Sequence, residues 1–351
     1  MPGSWLVRGV IGTILLSTLL SPRGMAHACF ASVSFSPTSL RGRWGLQMVP
    51  AKSFSAYAPG DPGGVSGAPQ QDILRVGVIT WFGTPVPAVT GRMIATTNDS
   101  TGNTVIITYG FTGTYTLGSD GTGTLTLNPS VTDASCNPPQ AAGVCATFEG
   151  QETYSIAVTR KQGLSMVQTD NVGGGAKIFM KGTALPQKKN TDFTAQDLKK
   201  TWAFVMGPAT SFAEVPPQLC PLTDPGSVST APRQNLMRVG EMAFDGFSGV
   251  TGHAITTTDD NSGNTIIINY NWSGTYTVFA DGTGTLTMVP ENPFPDFNCT
   301  PAQAPGVCAT LVATESYAMV IAQRRVKIFL NQTDNSSNQA KIFMTGEAAI
   351  Q

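Results

Sequence analysis

The stretch Phe111-Thr-Gly-Thr-Tyr-Thr-Leu-Gly-Ser-Asp-Gly-Thr-Gly-Thr-Leu-Thr-Leu127 returns almost unchanged as Trp272-Ser-Gly-Thr-Tyr-Thr-Val-Phe-Ala-Asp-Gly-Thr-Gly-Thr-Leu-Thr-Met288. Apolar residues alternate with Thr along both arms, which gives each strand one apolar and one polar face. Asp120-Gly121 and Asp281-Gly282 sit at the bend, where glycine takes a positive φ without steric cost. The chain therefore uses one β-hairpin twice, and any fold proposed for it has to be duplicated and rich in strands.

The repeat runs well beyond the hairpin. Trp44 answers Trp202, Arg75-Val-Gly77 answers Arg238-Val-Gly240, and Ala176-Lys-Ile-Phe-Met180 answers Ala340-Lys-Ile-Phe-Met344. The offset grows only from 158 residues at Trp44 and Trp202 to 164 at Met180 and Met344, so each copy is a whole domain rather than a small solenoid unit. A length of 351 residues is enough for two cores. The expected organisation is a leader over 1–28, a first repeat over 29–187 and a second over 196–351, joined by the polar stretch near Pro186 to Asp197.

Gly 38, Pro 24 and only 12% charged residues suit short strands joined by turns, with little helix. In the first copy, periodicity predicts about eight strands, near 41–49, 73–82, 89–97, 104–117, 122–128, 147–159, 163–169 and 176–182. Short connections make neighbours antiparallel, and closing the sheet on itself removes its exposed edges. The expected fold class is all-β: two tandem homologous antiparallel up-and-down barrels of about eight strands each. The longest loops, Pro50 to Gln70 and Gly207 to Gln234, are expected to act as lids or plugs.

Arg8, the apolar run Gly9 to Leu20 and Ala26-His27-Ala28 have the form of a cleavable export signal cut after Ala28. The expected location is secreted, periplasmic or cell-surface. A lipoprotein alternative, with Cys29 acylated, fits Ala26-His27 poorly. Export suits disulfides: Cys136 with Cys145, and Cys299 with Cys308, each close a short Pro-containing loop, for about 2–3 kcal/mol on the chain-entropy model. Elimination leaves Cys29 and Cys220 as a further pair. No metal or other cofactor is expected, since the cysteine spacing and the single His of the exported chain do not make a zinc site. A formal net charge of -1 gives no reason to expect nucleic acid or anionic lipid as a partner, and the apolar run of the leader is too short to span a bilayer.

Gly42-Arg43-Trp44, opening the first strand, resembles the G-x-W signature of lipocalins and the wider calycin group, and Thr169-Asp170 matches the first two residues of their T-D-Y motif. Copy two departs from it with Lys200-Thr201-Trp202, and Asn171 and Asn335 stand where the Tyr would be. The resemblance implies a cup-shaped barrel around an apolar ligand cavity. The hairpin itself resembles repeats in secreted bacterial proteins of unassigned function, which implies no activity.

The informative chemistry is a polar group placed on the apolar face in both copies. Glu152 shares its face with Tyr154 and Ile156, and Glu315 with Tyr317 and Met319; Arg75 lies with Ile79 and Trp81, Arg238 with Met242 and Phe244. Gln168 and Gln332 follow apolar positions in the same way, and Tyr115 and Tyr276 face inward from the hairpin. A lone buried charge is expensive, so an Arg–Glu pair inside each barrel is expected. Three roles compete: a structural ion pair completed by Gln and Tyr, an orienting group for the polar end of an apolar ligand, and a general acid or base at Glu152 or Glu315. The last lacks a second inward carboxylate.

Other candidates reduce to structure. His253 answers Arg92 and is expected to be a solvated strand residue. Asp120 and Asp281 each offer a turn one carboxylate, against the roughly six to eight oxygens calcium takes. Trp44 and Trp202 are expected to plug a barrel end. The leading function class is thus a non-catalytic exported protein holding small apolar molecules, with Arg75, Tyr115, Glu152, Gln168, Arg238, Tyr276, Glu315 and Gln332 as its candidate ligand-binding residues. The alternative is a secreted structural or cell-surface interaction protein with filled barrels, whose Thr faces or loops meet a protein or glycan. A ligand-sized void would favour the first class, and barrels filled by Trp44, Tyr109, Phe111 and Tyr115 the second.

Overall fold

The computed structural model describes residues 34–55, 70–98, 104–130, 135–137, 150–159, 163–169, 176–187, 192–213, 233–259, 265–291, 298–300, 314–333 and 340–351. The first repeat forms β1 (Gly42–Ser55), β2 (Gln70–Trp81), β3 (Ala88–Asn98), β4 (Thr104–Leu117), β5 (Thr122–Pro129), β6 (Ser135–Asn137), β7 (Glu152–Val158), β8 (Leu164–Gln168) and β9 (Ala176–Pro186). The sheet order is β3-β2-β1-β9-β8-β7-β5-β4, with β6 beside β4, and pairing of β3 with β4 closes the ring. The second repeat forms β10 (Thr201–Ala213), β11 (Arg233–Phe244), β12 (Gly249–Asp259), β13 (Thr265–Val278), β14 (Thr283–Pro290), β15 (Asn298–Thr300), β16 (Glu315–Ala322), β17 (Lys327–Gln332), β18 (Ala340–Phe343) and β19 (Thr345–Ile350). It closes through β10 and β11, with β15 beside β13. The chain is all-β with two closed antiparallel eight-stranded barrels, as the periodicity predicts.

Alternation decides which face turns inward. On β4, Val105, Ile107, Tyr109, Phe111 and Tyr115 are buried while Thr112, Thr114 and Thr116 are exposed. The hairpin bends where expected, with Gly121 at φ 88° and Gly282 at φ 86°. The Asp120 carboxylate accepts the backbone N–H of Thr122 at 3.0 Å, so turn geometry accounts for this Asp. Those bonds also hold its carboxyl below the usual carboxylate range.

The elements differ from their predicted bounds in three ways. The first strand continues past 49 to Ser55, because a register shift between Met48 and Ala51 lets pairing resume beyond Pro50. Short strands β6 and β15, each carrying a cysteine opposite Ile107 or Ile268, add to the ring at β4 and β13. Short 3-10 helices, Pro37–Leu40 and Ala195–Leu198, precede the first strand of each barrel. Leu40 and Leu198 are fully buried, and their carbonyls accept the indole N–H of Trp44 at 2.8 Å and of Trp202 at 3.0 Å. The expected tryptophan plugs are therefore helix and indole together. The leader, and most of the two loops expected to act as lids, lie outside the described residues.

Both barrels belong to one compact unit, Ser34–Gln351, and they pack on each other. Val76 and Val78 on the outside of the first barrel join Ala318, Val320, Ala322 and Phe329 on the outside of the second in a separate apolar cluster. A Cβ at Gly45 would lie 2.9 Å from the Cβ of Ala322, so only glycine permits this approach. At the rim, the Gln47 amide donates to the carbonyls of Leu330 at 2.9 Å and Gly346 at 3.0 Å, and the Thr96 hydroxyl donates to the Gln332 carbonyl at 2.8 Å. The Gln187 amide reaches the Ile321 carbonyl at 2.7 Å. Burial on both faces explains why β16 loses the alternation its counterpart β7 keeps.

Candidate functional site

The expected ion pair exists in both barrels. Arg75 on β2 and Glu152 on β7 belong to strands that do not pair, so their contact crosses the barrel interior. Arg75 Nη1 lies 2.7 Å from each carboxylate oxygen, and the Tyr154 hydroxyl donates to Glu152 Oε2 at 2.6 Å. In the second barrel the guanidinium forks: Arg238 Nη1 donates to Glu315 Oε2 and Nη2 to Oε1, the latter at 3.0 Å. Tyr317 donates to Glu315 Oε2 at 2.6 Å, and Arg238 Nε donates to Thr256 Oγ1 at 3.0 Å. Both arginines and both glutamates keep at most 4% of their surface.

Burial and the neighbouring carboxylate set the electrostatics. Loss of solvent, followed by the Glu152 charge, pushes the Tyr154 phenol well above its usual range. Burial likewise raises Tyr270, whose ring lies 5.9 Å from the Arg238 guanidinium carbon. For Arg238, burial is the largest single influence and works to lower the pKa, but the Glu315 charge and hydrogen bond, with Tyr270 and Tyr317, together outweigh it and hold it well above the usual value. Each guanidinium is thus paired with a carboxylate within the barrel.

The glutamines and hairpin tyrosines are placed differently from the sequence expectation. Gln168 and Gln332 stand directly opposite Tyr154 and Tyr317 in the sheet, yet in both the amide oxygen and nitrogen are buried without a hydrogen-bond partner. Tyrosine, not glutamine, completes each pair. Tyr115 and Tyr276 face inward but belong to the helix-plugged end. The Tyr115 hydroxyl donates to the Pro37 carbonyl at 2.9 Å, and Tyr276 reaches the Ala195 carbonyl at 3.4 Å. Their rings stack edge-on against Trp81 and Phe244, at 4.8 and 4.7 Å between centroids. Burial, then the Asp245 charge, pushes Tyr276 up to about 12. In each barrel, four of the eight candidates therefore divide into a central Arg–Glu pair with an adjoining glutamine and a separate tyrosine at the plugged end, and the pair is completed by Tyr154 or Tyr317, which is not among the eight.

Sequence reasoning missed Thr256, whose hydroxyl holds Arg238 Nε. The signal was available, because Thr256 sits on an inward position where copy one has Ala95. His253 is half-buried, with Nε2 bonded to Asn269 Oδ1. Cys136 is engaged in a disulfide, while its expected partner Cys145, together with Cys308, Cys29 and Cys220, lies outside the described residues. Among the described residues no group of three or more His, Cys, Asp or Glu side chains could hold a metal, and no helix is long and apolar enough to cross a membrane.

No protein family and no curated protein matches the sequence. Among solved structures, the translocator domain of the autotransporter NalP from Neisseria meningitidis is similar at 9% identity and a TM-score of 0.19, over 89% of each chain. The β domain of the Bordetella autotransporter BrkA gives 9% identity and a TM-score of 0.15, over 88% of this chain and 99% of that one. Scores this low carry no argument about export or membrane insertion. The barrel implied by the lipocalin resemblance is present, but the comparisons lend that family resemblance no support.

Proposed function

We propose that this is an exported, non-catalytic structural or interaction protein whose two barrels are filled. One observation carries the reading: among the described residues, the large inward side chains are packed out of reach of solvent. A side chain lining a water-sized void keeps accessible surface, yet Trp44, Trp81, Tyr109, Phe111, Tyr115 and Tyr154 keep 3% or less, and the second barrel is packed alike. The inward charges pair with each other, so neither Glu152 nor Glu315 stands alone as an acid or base. The outward Thr faces support a barrel that meets water, since a membrane barrel turns apolar residues outward and polar ones inward. The test is titration with fluorescent fatty acids and retinoids. No saturable binding is expected, and a saturable response lost in Glu152→Gln would overturn the filled-barrel reading.

The ligand-binding reading retains one supporting observation, the unpartnered amides of Gln168 and Gln332 beside the Arg–Glu–Tyr clusters, joined by the buried unpartnered hydroxyls of Thr97 and Thr258. Such groups would suit a small occupant that both donates and accepts, provided neighbouring side chains move to admit it. Native mass spectrometry of protein from its own host tests it, because a retained small molecule would reveal its mass directly.

A further inference from the structure

The outer wall of the first barrel that the second barrel covers has a counterpart on the second barrel that stays exposed among the described residues. In the first barrel Gln47, Leu74 and Val76 keep 7%, 0% and 0% of their surface. The residues in the same places of the second barrel are Val205, Met237 and Val239, exposed by 45%, 52% and 49%. Ile255, 38% exposed, answers the half-buried Ile94, and Ile267 adds a further 42%.

These five side chains form one patch. Val205 pairs with Val239 and Val239 with Ile255, which makes a row across β10, β11 and β12. Met237 and Ile267 flank Thr257 in the row beside it. Glu241, His253 and Asn269 border the patch with polar groups, and this apolar centre with a polar rim is the anatomy of a protein interface.

We propose that this face joins a second copy of the chain, patch against patch, across a two-fold axis. The occupant follows from the interface inside the molecule. There the same wall of barrel one meets Ala318, Val320, Ala322 and Phe329 of β16 and β17. Repeating that contact head to tail would require the corresponding wall of barrel one, where Ser155, Ala157, Thr159 and Ser165 stand in those four places. That wall lacks the apolar surface to match, whereas the exposed patch is complementary to itself, as an isologous contact demands. The surface itself favours this occupant because its aliphatic side chains carry no charge for an acidic or basic partner to read.

The proposal names a partner for the interaction protein described above and rests on that reading. Ligand titration tests the filled barrels separately, so one can fail without the other. The experiment is sedimentation equilibrium of the exported chain over a concentration series, with thermal melts as a folding control. A dimer that dissociates on dilution is expected. Val239→Lys should weaken it roughly tenfold or more, as loss of a central contact does. The double variant Val239→Thr with Ile255→Thr keeps strand-forming side chains and guards against misfolding; it should weaken the dimer in the same direction. A wild type that stays monomeric, a dimer indifferent to both variants, or one broken instead by Val167→Lys on the barrel-one wall would overturn the proposal.

Discussion

Gly45 and Ala203 occupy the same place in the two copies, but only Gly45 is covered. The Cβ that glycine lacks would press on Ala322 of the neighbouring barrel, while Ala203 is exposed. Gln47 and Val205 tell the same story two residues on: the amide serves carbonyls of the other barrel, and the valine faces outward with 45% of its surface open. The polar centre of each barrel is kept, since Arg75, Glu152 and Tyr154 are matched by Arg238, Glu315 and Tyr317, while the apolar side chains around it are exchanged, as Trp81 for Phe244 and Phe111 for Trp272. Duplication thus preserved the Arg–Glu–Tyr centre and the apolar character of the interior, and changed the polarity and exposure of the outer wall.

The strongest way to break that comparison acts on the inside, where the copies should respond alike. Arg238→Met leaves Glu315 buried without its counter-charge and should cost about 3–5 kcal/mol. Arg75→Met should cost a similar amount through Glu152. Urea denaturation followed by intrinsic fluorescence measures both. If one variant is near neutral while the other is severe, the two clusters are not equivalent.

The outside should respond oppositely in the two copies. Gly45→Val forces atoms into Ala322 and should cost about 1–3 kcal/mol, as overpacking does. Ala203→Val, at the same position of the exposed wall, should stay within about 0.5 kcal/mol. Equal effects in a pair of thermal melts would mean that the barrels do not dock as described.

Tyrosine ionisation probes each interior at a different position, Tyr154 beside Glu152 and Tyr270 beside Arg238. Burial raises Tyr154 in the first barrel and Tyr270 in the second above 10.0, so both stay neutral in the fold at a pH where the unfolded chain ionises. Their stabilising effect is fully present below pH 10 and is lost as pH rises from there through the folded values. Each titrating tyrosine should lower stability by about 1.4 kcal/mol per pH unit in that window. Denaturation at stepped pH should show no tyrosine-linked slope from neutrality to pH 9 and a fall above pH 10. Tyr154→Phe and Tyr270→Phe should each reduce the alkaline slope.

What the sequence made legible was what repeats with a strict period. The alternation in Val105 to Tyr115 predicts the strand, its inward face and the turn at Asp120-Gly121, because each depends on local geometry alone. Glu152 on an apolar face predicts a buried partner, and Arg75 was the inward charge available to meet it. The inter-barrel wall was harder to read. Val76 and Val78 look like ordinary strand residues, and only the unbroken apolar run Ala318 to Ala322, where copy one alternates, signals burial on both faces. The role of the glutamines was misjudged for another reason: an inward amide implies a partner, and the sequence cannot show that Tyr154 and Tyr317 reach the carboxylates first.

A further prediction tests a place where the polar centres of the two barrels differ. Arg238 Nε donates to the Thr256 hydroxyl, which the Tyr270 hydroxyl also approaches at 3.4 Å, whereas Ala95 offers the first barrel no oxygen there. Thr256→Ala removes that acceptor without touching the fork to Glu315. The loss should be about 1–3 kcal/mol at most, the cost of leaving one buried donor unserved. Water can enter if the site relaxes, which would bring the cost toward the lower end. The reciprocal change, Ala95→Thr, asks whether the first barrel can use a hydroxyl at the same position. If Thr256→Ala proves as damaging as Arg238→Met in the same urea titration, the hydroxyl, and not the carboxylate, is what holds the guanidinium in the second barrel.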